Sequence, residues 1–343
     1  MKFLRLAFYV LIAQLVLSGC AGEGVEETSS SEINFDAYLG RNASTRAGVT
    51  NIASLKKSGF GVFARYNHNG ATSSLMDNER VTWNGDCWGY TNTRYWPNEG
   101  SVDFYAFAPY LKNVELVNAP DSIKDNPTCI EFTSSTSPVD LVWDVQKNKT
   151  VPTSSTDGKV KFVFKHALAR LGFDITANQE LEENGAVIKV DSVKLYGDTI
   201  VNGAFDIKGY LNLENGGWSR PKDNTRVVYT WTPTGAEDGT NFKLSASQLD
   251  HTCSKIENAP NSYLCIIPQE KWVAFYLQIT YTVQQGTFKE EVKVKKNLLD
   301  VRKQPGVSNP SFPFEKGKAY VFHLILSLDP INFYVTTTVV DWK

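Results

Sequence analysis

The sequence lacks the local motifs of common enzymes and any excess of charge of one sign. It contains no P-loop, no G-x-G-x-x-G, no H-E-x-x-H and no G-x-S-x-G, and its four histidines have no metal-ligand spacing. Lysine and arginine number 35 against 37 for aspartate and glutamate, and this balance supplies no basic field for nucleic acid. We therefore predict no catalytic residues, no cofactor, no metal site and no nucleic-acid partner.

The chain also lacks an apolar run long enough to cross a membrane. Residues 6–17 are apolar except for Gln14, and they follow the basic residues Lys2 and Arg5. A membrane-spanning helix needs about 20 apolar residues, whereas a shorter run behind a basic head is typical of an export signal. Residues 1–19 are therefore predicted to be a signal peptide.

The export signal ends in a motif that carries a cysteine. Residues 17–20 (LSGC) resemble the bacterial lipobox, in which the cysteine is acylated and becomes the new N-terminus. Several acyl chains on Cys20 would hold the chain more firmly than the marginal binding of a single chain. The small and acidic residues that follow predict a flexible tether. Glu23, Glu26 and Glu27 resemble the acidic export signals of Bacteroidota surface lipoproteins, and a solvated linker is the alternative interpretation. We predict a surface-exposed position on the outer membrane.

Four further cysteines form an even set in an exported chain, where disulfides are permitted. They are Cys87, Cys129, Cys253 and Cys265, and no pair has the C-x-x-C spacing of a zinc or redox site. Three pairings exist. We favour Cys253 with Cys265, whose twelve-residue separation suits a bridged loop, and free buried thiols are the alternative.

Helical periodicity is nearly absent, and alternation of apolar and polar residues dominates. It is clearest at 273–283, which a Gln-Gln-Gly turn separates from 288–295, and this pattern predicts a hairpin. Only 166–170 is compatible with one helical turn. Many short strands bounded by turn residues indicate an all-β fold of sandwiches. Further predicted strands are 59–65, 102–108, 139–145, 159–164, 186–196, 226–232, 319–328 and 331–341.

The mature length favours two domains. More than 300 residues follow the signal peptide, which exceeds the usual size of a single core. The segment 150–158 is rich in serine, threonine and turn residues and separates two strand-rich halves. We predict domains at 47–158 and 159–343.

A cluster of aromatic residues has two interpretations. Trp83, Trp88, Tyr90, Tyr95 and Trp96 lie close together in the sequence. They could form a platform on which sugar rings stack. Packing into a core is the more frequent use of such rings, and we favour it.

Several segments in order resemble the fimbrillins, the type V pilins of Bacteroidota. The segments are 33–39 (INFDAYL), 45–48 (TRAG), 59–64 (GFGVFA), 95–97 (YWP), 102–109 (VDFYAFAP), 164–173 (FKHALARLGF), 317–324 (GKAYVFHL) and 339–342 (VVDW). The resemblance implies two transthyretin-like, Greek-key β-sandwich domains in tandem and a structural role in a fimbrium that supports cell adhesion. It also implies other pilin subunits as partners.

The resemblance further implies that residues 20–46 are a lipidated propeptide, removed by a trypsin-like cut between Arg46 and Ala47. Arg41 is a second candidate cut site, and an ordinary exposed arginine is the alternative interpretation of Arg46.

The propeptide contains a strand with one apolar face. Ile33, Phe35, Ala37 and Leu39 alternate with polar or outward residues, so the segment can complete the sandwich of its own chain. Its loss would expose a sheet edge and an apolar groove, which a strand from another subunit can fill.

For the donor of that strand we favour the C-terminus. Ile331, Phe333, Val335, Thr337 and Val339 share one face. The same residues could instead be permanent members of a sheet, in which case the subunit would accept a strand without donating one.

Three classes of function are compatible with these sequence features. If the chain is a pilus subunit, we expect cleavage after Arg46 and assembly into polymers, in which it occupies a tip, shaft or anchor position. A carbohydrate-binding surface lipoprotein predicts a monomer with a glycan or host-surface ligand on the Trp83 to Trp96 cluster. A hydrolase predicts converging buried carboxylates, which no local motif supports.

Overall fold

The computed structural model of the protein describes most of the chain after the tether. The described residues are 32–39, 51–120, 127–134, 139–152, 158–177, 185, 187–198, 203–222, 224–231, 243–244, 264–271, 275–301, 312–326 and 334–341. In these ranges no helix combines the length and the apolar character that a membrane crossing requires.

The regular structure is almost entirely β, which confirms the predicted all-β class. Within the described ranges the helices are α1 (Ile52–Ser58) and α2 (Leu298–Val301). The strands are β1 (Asn34–Leu39), β2 (Phe60–His68), β3 (Ala71–Trp83), β4 (Trp88–Gly89), β5 (Ser101–Ala108), β6 (Cys129–Thr133), β7 (Val142–Lys149), β8 (Lys159–His166), β9 (Ala169–Ala177), β10 (Val187–Tyr196), β11 (Phe205–Asp206), β12 (Lys208–Asn212), β13 (Trp218–Ser219), β14 (Arg226–Val227), β15 (Tyr229–Trp231), β16 (Lys243–Leu244), β17 (Leu264–Ile266), β18 (Gln269–Lys271), β19 (Tyr276–Gln285), β20 (Phe288–Asn297), β21 (Phe312–Phe314), β22 (Lys318–Leu326) and β23 (Tyr334–Asp341).

Seven strands form the first sheet, in the order β1-β8-β7-β5-β2-β3-β4. All neighbours are antiparallel except β1 and β8, which run parallel. β8 pairs with β7 only through Lys165 and His166. Beyond that point the main chains of β7 and β8 are not paired. The Val163 N–H instead donates to Oδ2 of the buried Asp144 side chain at 2.8 Å. The sheet therefore turns a corner at β8, and β8 continues as the partner of β1.

The corner folds the β1–β8 ribbon over the face of β2 and β5. Phe162 of β8 lies with its ring centroid 5.8 Å from that of Phe60 in β2, and Phe164 lies 5.5 Å from Phe60. β2 and β5 read as almost continuous apolar runs because both of their faces are buried. One face meets the β1–β8 ribbon, and the other meets the second half of the chain.

The predicted boundary between residues 158 and 159 falls inside this sheet. The prediction places β8 in the C-terminal domain, but β8 pairs with β7 on one side and with β1 on the other. A segment rich in serine and threonine is typical of a surface loop and equally of a linker between domains. Its composition does not indicate which strands pair on either side of it. The division of the chain into two tandem domains of transthyretin-like, Greek-key topology stays a prediction.

The second half contains two larger sheets around its own core. One has the order β15-β10-β19-β20 with β16 also on β10, and the other has the order β17-β9-β22-β23. The predicted hairpin is confirmed as β19 and β20, with Gly286 at φ 58° in the turn. The predicted helical turn at 166–170 is wrong, since β8 ends at His166 and β9 begins at Ala169.

The two halves share a third core. Phe107 and Trp143 of the first sheet pack in one cluster with Leu211, Cys265 and Ile267 of the second half. A small sheet of order β13-β12-β6 adds backbone pairing, because β6 precedes β7 in the chain while β12 and β13 follow β10. The halves are therefore connected by packing and by hydrogen bonds as well as by the chain.

Candidate functional site: the first strand and its groove

β1 lies at the edge of the first sheet, held on one side along its whole length. Asn34 pairs with Lys159 and Leu39 pairs with Phe164 in a parallel register without a bulge. The opposite edge is held only at its beginning, where the Ile33 N–H donates to the Arg94 carbonyl at 2.8 Å. Glu32 forms an antiparallel bridge with Tyr95 at the same place. β1 thus lies between β8 and the connection that follows β4.

Side chains of β1 alternate between the core and the solvent. Ile33 is 0% exposed, Phe35 is 1% exposed and Ala37 is 3% exposed. Tyr38 points outward and is 47% exposed, and Leu39 is partly buried against the same core. The apolar face predicted from the sequence is therefore the face of β1 that packs against the core. The displacement of β1 from the fold stays a prediction.

Four aromatic rings surround the side chain of Phe35. The ring centroids lie 5.4 Å away for Tyr90, 5.8 Å for Phe162, 5.9 Å for Phe104 and 6.4 Å for Phe60. Phe162 stacks on Phe35, whereas Phe60 and Phe104 meet it edge to face, and such arrangements add to the free energy of burial. We call these four rings the Phe35 pocket. Because they come from β2, β5, β8 and the β4–β5 connection, the pocket exists only when the sandwich is assembled.

Tyr90 also fixes the backbone of the strand. Its hydroxyl donates to the Ile33 carbonyl at 2.7 Å and accepts the Arg94 N–H at 3.1 Å. Burial raises the pKa of Tyr90 above the usual value of 10.0, so the hydroxyl keeps its proton at neutral pH. The beginning of β1 is therefore held by one side-chain and one main-chain hydrogen bond.

The outer edge of β1 is covered by its own side chains. The Ala37 N–H donates to Asp36 Oδ1 at 3.0 Å, and the Tyr38 hydroxyl donates to the other oxygen of the same carboxylate. That hydrogen bond raises the pKa of Tyr38. A side chain that satisfies an edge N–H discourages unwanted pairing with another strand.

The donor candidate takes part in a sheet of its own chain. Val335 pairs with Leu324 and Val339 pairs with Tyr320, so that these residues belong to β23 at the edge of the β17-β9-β22-β23 sheet. Val339 remains 44% exposed although its partner Tyr320 is buried. The alternative that these residues are sheet members therefore holds for 334–341.

Several predicted site residues lie outside the described residues. They are Cys20, Arg46, Ala47, Cys253, Ile331 and Phe333. Their predicted roles in lipidation, processing and strand donation stay predictions.

The favoured disulfide between Cys253 and Cys265 is wrong. Cys265 is a free, buried thiol in β17, opposite Arg170 of β9, and burial raises its pKa well above the usual value. Cys129 is also free and buried, whereas Cys87 is disulfide-bonded. The loop spacing was misleading because Cys265 belongs to the core that joins the two halves.

The tryptophan cluster packs mainly inward. Trp88 and Trp96 are 5% and 6% exposed, and Trp83 meets Trp88 at 5.4 Å between centroids while Lys56 of α1 covers its ring at 3.7 Å. Tyr95 alone is largely exposed. The core-packing interpretation is therefore confirmed for Trp88 and Trp96, whose faces are not accessible for sugar stacking.

The buried aspartates have structural partners. Asp206 accepts from Arg220 at 2.7 Å and from Arg226 at 2.8 Å, and Asp140 lies 2.9 Å from His166 Nδ1. In the described part of the chain, no group of three or more histidine, cysteine, aspartate or glutamate side chains is placed to hold a metal ion.

The fold and the site together define an all-β protein whose sandwich is completed by its own first strand. Known proteins share this fold. A solved fimbrial protein from Bacteroides vulgatus has a TM-score of 0.60 at 21% identity, covering 91% of this chain and 99% of that one. Fimbrium subunit Fim1C of Phocaeicola vulgatus is 23% identical over 376 aligned positions, which cover 97% of this chain and 95% of the relative.

The fimbrillin-like family profile matches residues 45–342, and the chain belongs to that family. It is accordingly a structural fimbrial subunit with a role in adhesion, which acts at the cell surface together with other subunits.

Proposed function

We propose that this subunit is exported as an outer-membrane lipoprotein on Cys20, loses β1 through cleavage between Arg46 and Ala47, and joins the fimbrium by accepting a strand from another subunit. The observation that carries the proposal is the burial of Ile33, Phe35 and Ala37 in a strand that precedes the cut.

The energetics of an empty groove support this mechanism. Full burial of an isoleucine or phenylalanine side chain contributes about 1.5–3 kcal/mol, and these terms are lost when β1 leaves. The backbone of β8 from Lys159 to Phe164 also loses its partner, and an unpaired strand edge is a template for another strand. Strand addition from a second subunit restores both contributions.

The predicted lipid site and β1 lie on the same side of the proposed cut. Cys20 and β1 belong to the same piece of chain, and a single cut would therefore remove the lipid and open the groove together. A subunit that escapes cleavage would keep both and would serve as an anchor.

The experiment uses the full-length chain with Cys20→Ser, which removes the lipid, and mild treatment with trypsin. We expect a new N-terminus at Ala47 by mass spectrometry, release of the fragment that carries β1, and growth of oligomers by light scattering. Arg46→Gln should stop all three events. Arg41→Gln, which alters the neighbouring arginine, should leave them unchanged. A chain cut at Arg46 that stays monomeric at high concentration, with its fragment docked, would contradict the proposal.

A further inference from the structure

A buried carboxylate holds two arginine side chains at the surface of the second half. Asp206 is 7% exposed, and its Oδ2 accepts from Arg220 Nη1 at 2.7 Å while its Oδ1 accepts from Arg226 Nε at 2.8 Å. The side chains of Arg220 and Arg226 are 35% and 59% exposed. Two positive charges thus meet one negative charge, and the cluster keeps an excess positive charge that reaches the solvent.

Neither arginine uses all of its donors on Asp206. A guanidinium carries five N–H groups. Within the part of the chain that the structure describes, Asp206 is the hydrogen-bond partner of both side chains, through Nε of Arg226 and through Nη1 of Arg220. The two Nη groups of Arg226 are therefore left to the solvent. Paired N–H groups of this kind match both oxygens of a second carboxylate.

Hydrogen bonds fix the backbone around this cluster. The buried Gln269 side chain accepts the Asp206 N–H at 3.0 Å and donates to the Asp206 carbonyl at 3.3 Å. The Asn224 side chain bonds the N–H and the carbonyl of Lys208 at 3.1 Å and 2.6 Å, which ties the connection between β13 and β14 to β12. Arg226 itself pairs with Asp206 across β14 and β11. A ligand would therefore bind to donors that are already in place, and little ordering would oppose its binding.

The arrangement fits a single carboxylate better than an extended acidic surface. Lys208 is already paired with Glu131 at 3.0 Å, and Lys222 is the further exposed cation among the described residues of this connection. The whole chain has a net charge of -2, so it offers no wide basic surface to an acidic protein segment. An acidic sugar, in contrast, presents one carboxylate on a compact ring.

We propose that Arg220 and Arg226 form a binding subsite for the carboxylate of an acidic sugar, and that Asp206 positions both side chains. The two Nη groups of Arg226 bind the two carboxylate oxygens, and Arg220 contributes a further N–H and its charge. The inference gives the adhesive role a ligand of stated chemistry. It does not depend on the release of β1, so the failure of strand exchange would leave it standing.

The first test compares two sugars that differ only in the carboxylate. The full-length chain with Cys20→Ser is titrated with methyl glucuronide and with methyl glucoside, in which a hydroxymethyl group replaces the carboxylate, and nuclear magnetic resonance reports binding. We expect the glucoside to bind at least about 10-fold more weakly, because it cannot form the charge-assisted hydrogen bonds. Added salt should weaken the binding of the glucuronide. Equal binding of both sugars, or no binding of the glucuronide, would overturn the inference.

Two variants separate the paired donors from charge alone. Arg226→Lys keeps the charge next to Asp206 but loses the paired N–H groups, and it should weaken binding of the glucuronide at least about 10-fold. Lys222→Gln removes a charge from the same connection and should change the affinity by less than about threefold. The opposite ranking would mean a general attraction by charge and would overturn the subsite. Urea denaturation checks that both variants fold, and Arg220→Lys replaces Arg226→Lys if that variant does not.

A peptide tests the choice of a sugar as the ligand. An acetylated and amidated peptide that contains three glutamates offers carboxylates without a sugar ring. We expect it to bind more weakly than methyl glucuronide. A peptide that binds more tightly than the glucuronide, and loses affinity with Arg226→Lys, would identify an acidic protein segment as the ligand and would overturn the proposal.

Discussion

β1 and β23 are both edge strands with alternating apolar residues, yet they differ in what their side chains bury. Phe35 and Ala37 of β1 and Ile33 just before it are at most 3% exposed, whereas Val339 of β23 is 44% exposed. An edge position in a sheet therefore says little about the free energy that a strand contributes.

The difference bears on the vacancy that the proposed loss of β1 would leave. An empty β1 position would expose the four rings of the Phe35 pocket to water.

The largest effect on this comparison is expected from truncation of Phe35. Phe35→Ala in the uncut chain should lower the free energy of unfolding by about 3–5 kcal/mol, because it empties a closed aromatic pocket. Val339→Ala, the matched change in β23, should lower it by less than about 1 kcal/mol, because the side chain is already half in solvent. Urea denaturation of both variants measures the two values.

Comparable losses in the two variants would show that β1 and β23 contribute equally, and the comparison would fail. Tyr38→Ala controls for a general effect of mutating β1, since Tyr38 is 47% exposed. Its stability should stay close to that of the original chain.

A smaller effect is expected from the hydrogen bond that holds the beginning of β1. Tyr90→Phe should lower the free energy of unfolding by about 0.5–1.5 kcal/mol at neutral pH, because the Ile33 carbonyl loses its donor. The pKa of Tyr90 is raised by burial above 10.0, so this contribution is complete below pH 10 and is lost as the pH rises through the folded-state pKa.

The difference in stability between the original chain and Tyr90→Phe should therefore shrink above pH 10. Denaturation at pH 8 and at several values above 10 measures it. A difference that is constant or grows with pH would contradict the role given to the Tyr90 proton.

The smallest effect is expected at the end of β23. Lys318 forms an ion pair with Asp341, and the hydrogen bond raises the pKa of Lys318. Because both groups are solvent-accessible, screening by water and salt makes the contribution of such a pair to stability small. Asp341→Asn should leave the melting temperature unchanged within error at low and high salt, and a clear loss at low salt would mean that β23 is held more firmly than its burial indicates.

Much of the fold follows from alternation in the sequence. The strands predicted at 59–65, 102–108 and 186–196 are confirmed as β2, β5 and β10 with small changes of boundary. These segments carry regular apolar patterns because one or both faces are buried. The alternation of apolar and polar residues in 33–39 likewise predicts which face of β1 is buried.

Other elements leave no such pattern. β3 spans thirteen residues, but of these only Met76 and Val81 are buried, so its sequence resembles a surface loop. α1 has a single buried residue, Leu55, and its clearest signal is the capping box formed by Asn51 and Ser54. Both were missed for this reason.

The pairing of strands that are distant in the sequence could not be predicted from local sequence patterns. Nothing in the sequence of β8 indicates that it pairs with β7 and β1, and the predicted boundary at 158 therefore falls between two paired strands of one sheet. Cys265 resembles a loop cysteine by spacing, but its strand carries it into the core between the halves. The aromatic composition of the Phe35 pocket was equally hidden, because its rings come from four separate segments.

The parallel direction of β1 and β8 has a consequence for the shape of a fibre. An incoming strand in the same register has to run in the same direction as β8, so every subunit would be added in one orientation. Head-to-tail contacts of this kind do not close on themselves unless the rotation between subunits completes a ring. A filament built this way is polar, with one end that exposes an unfilled groove and another that presents an unused strand.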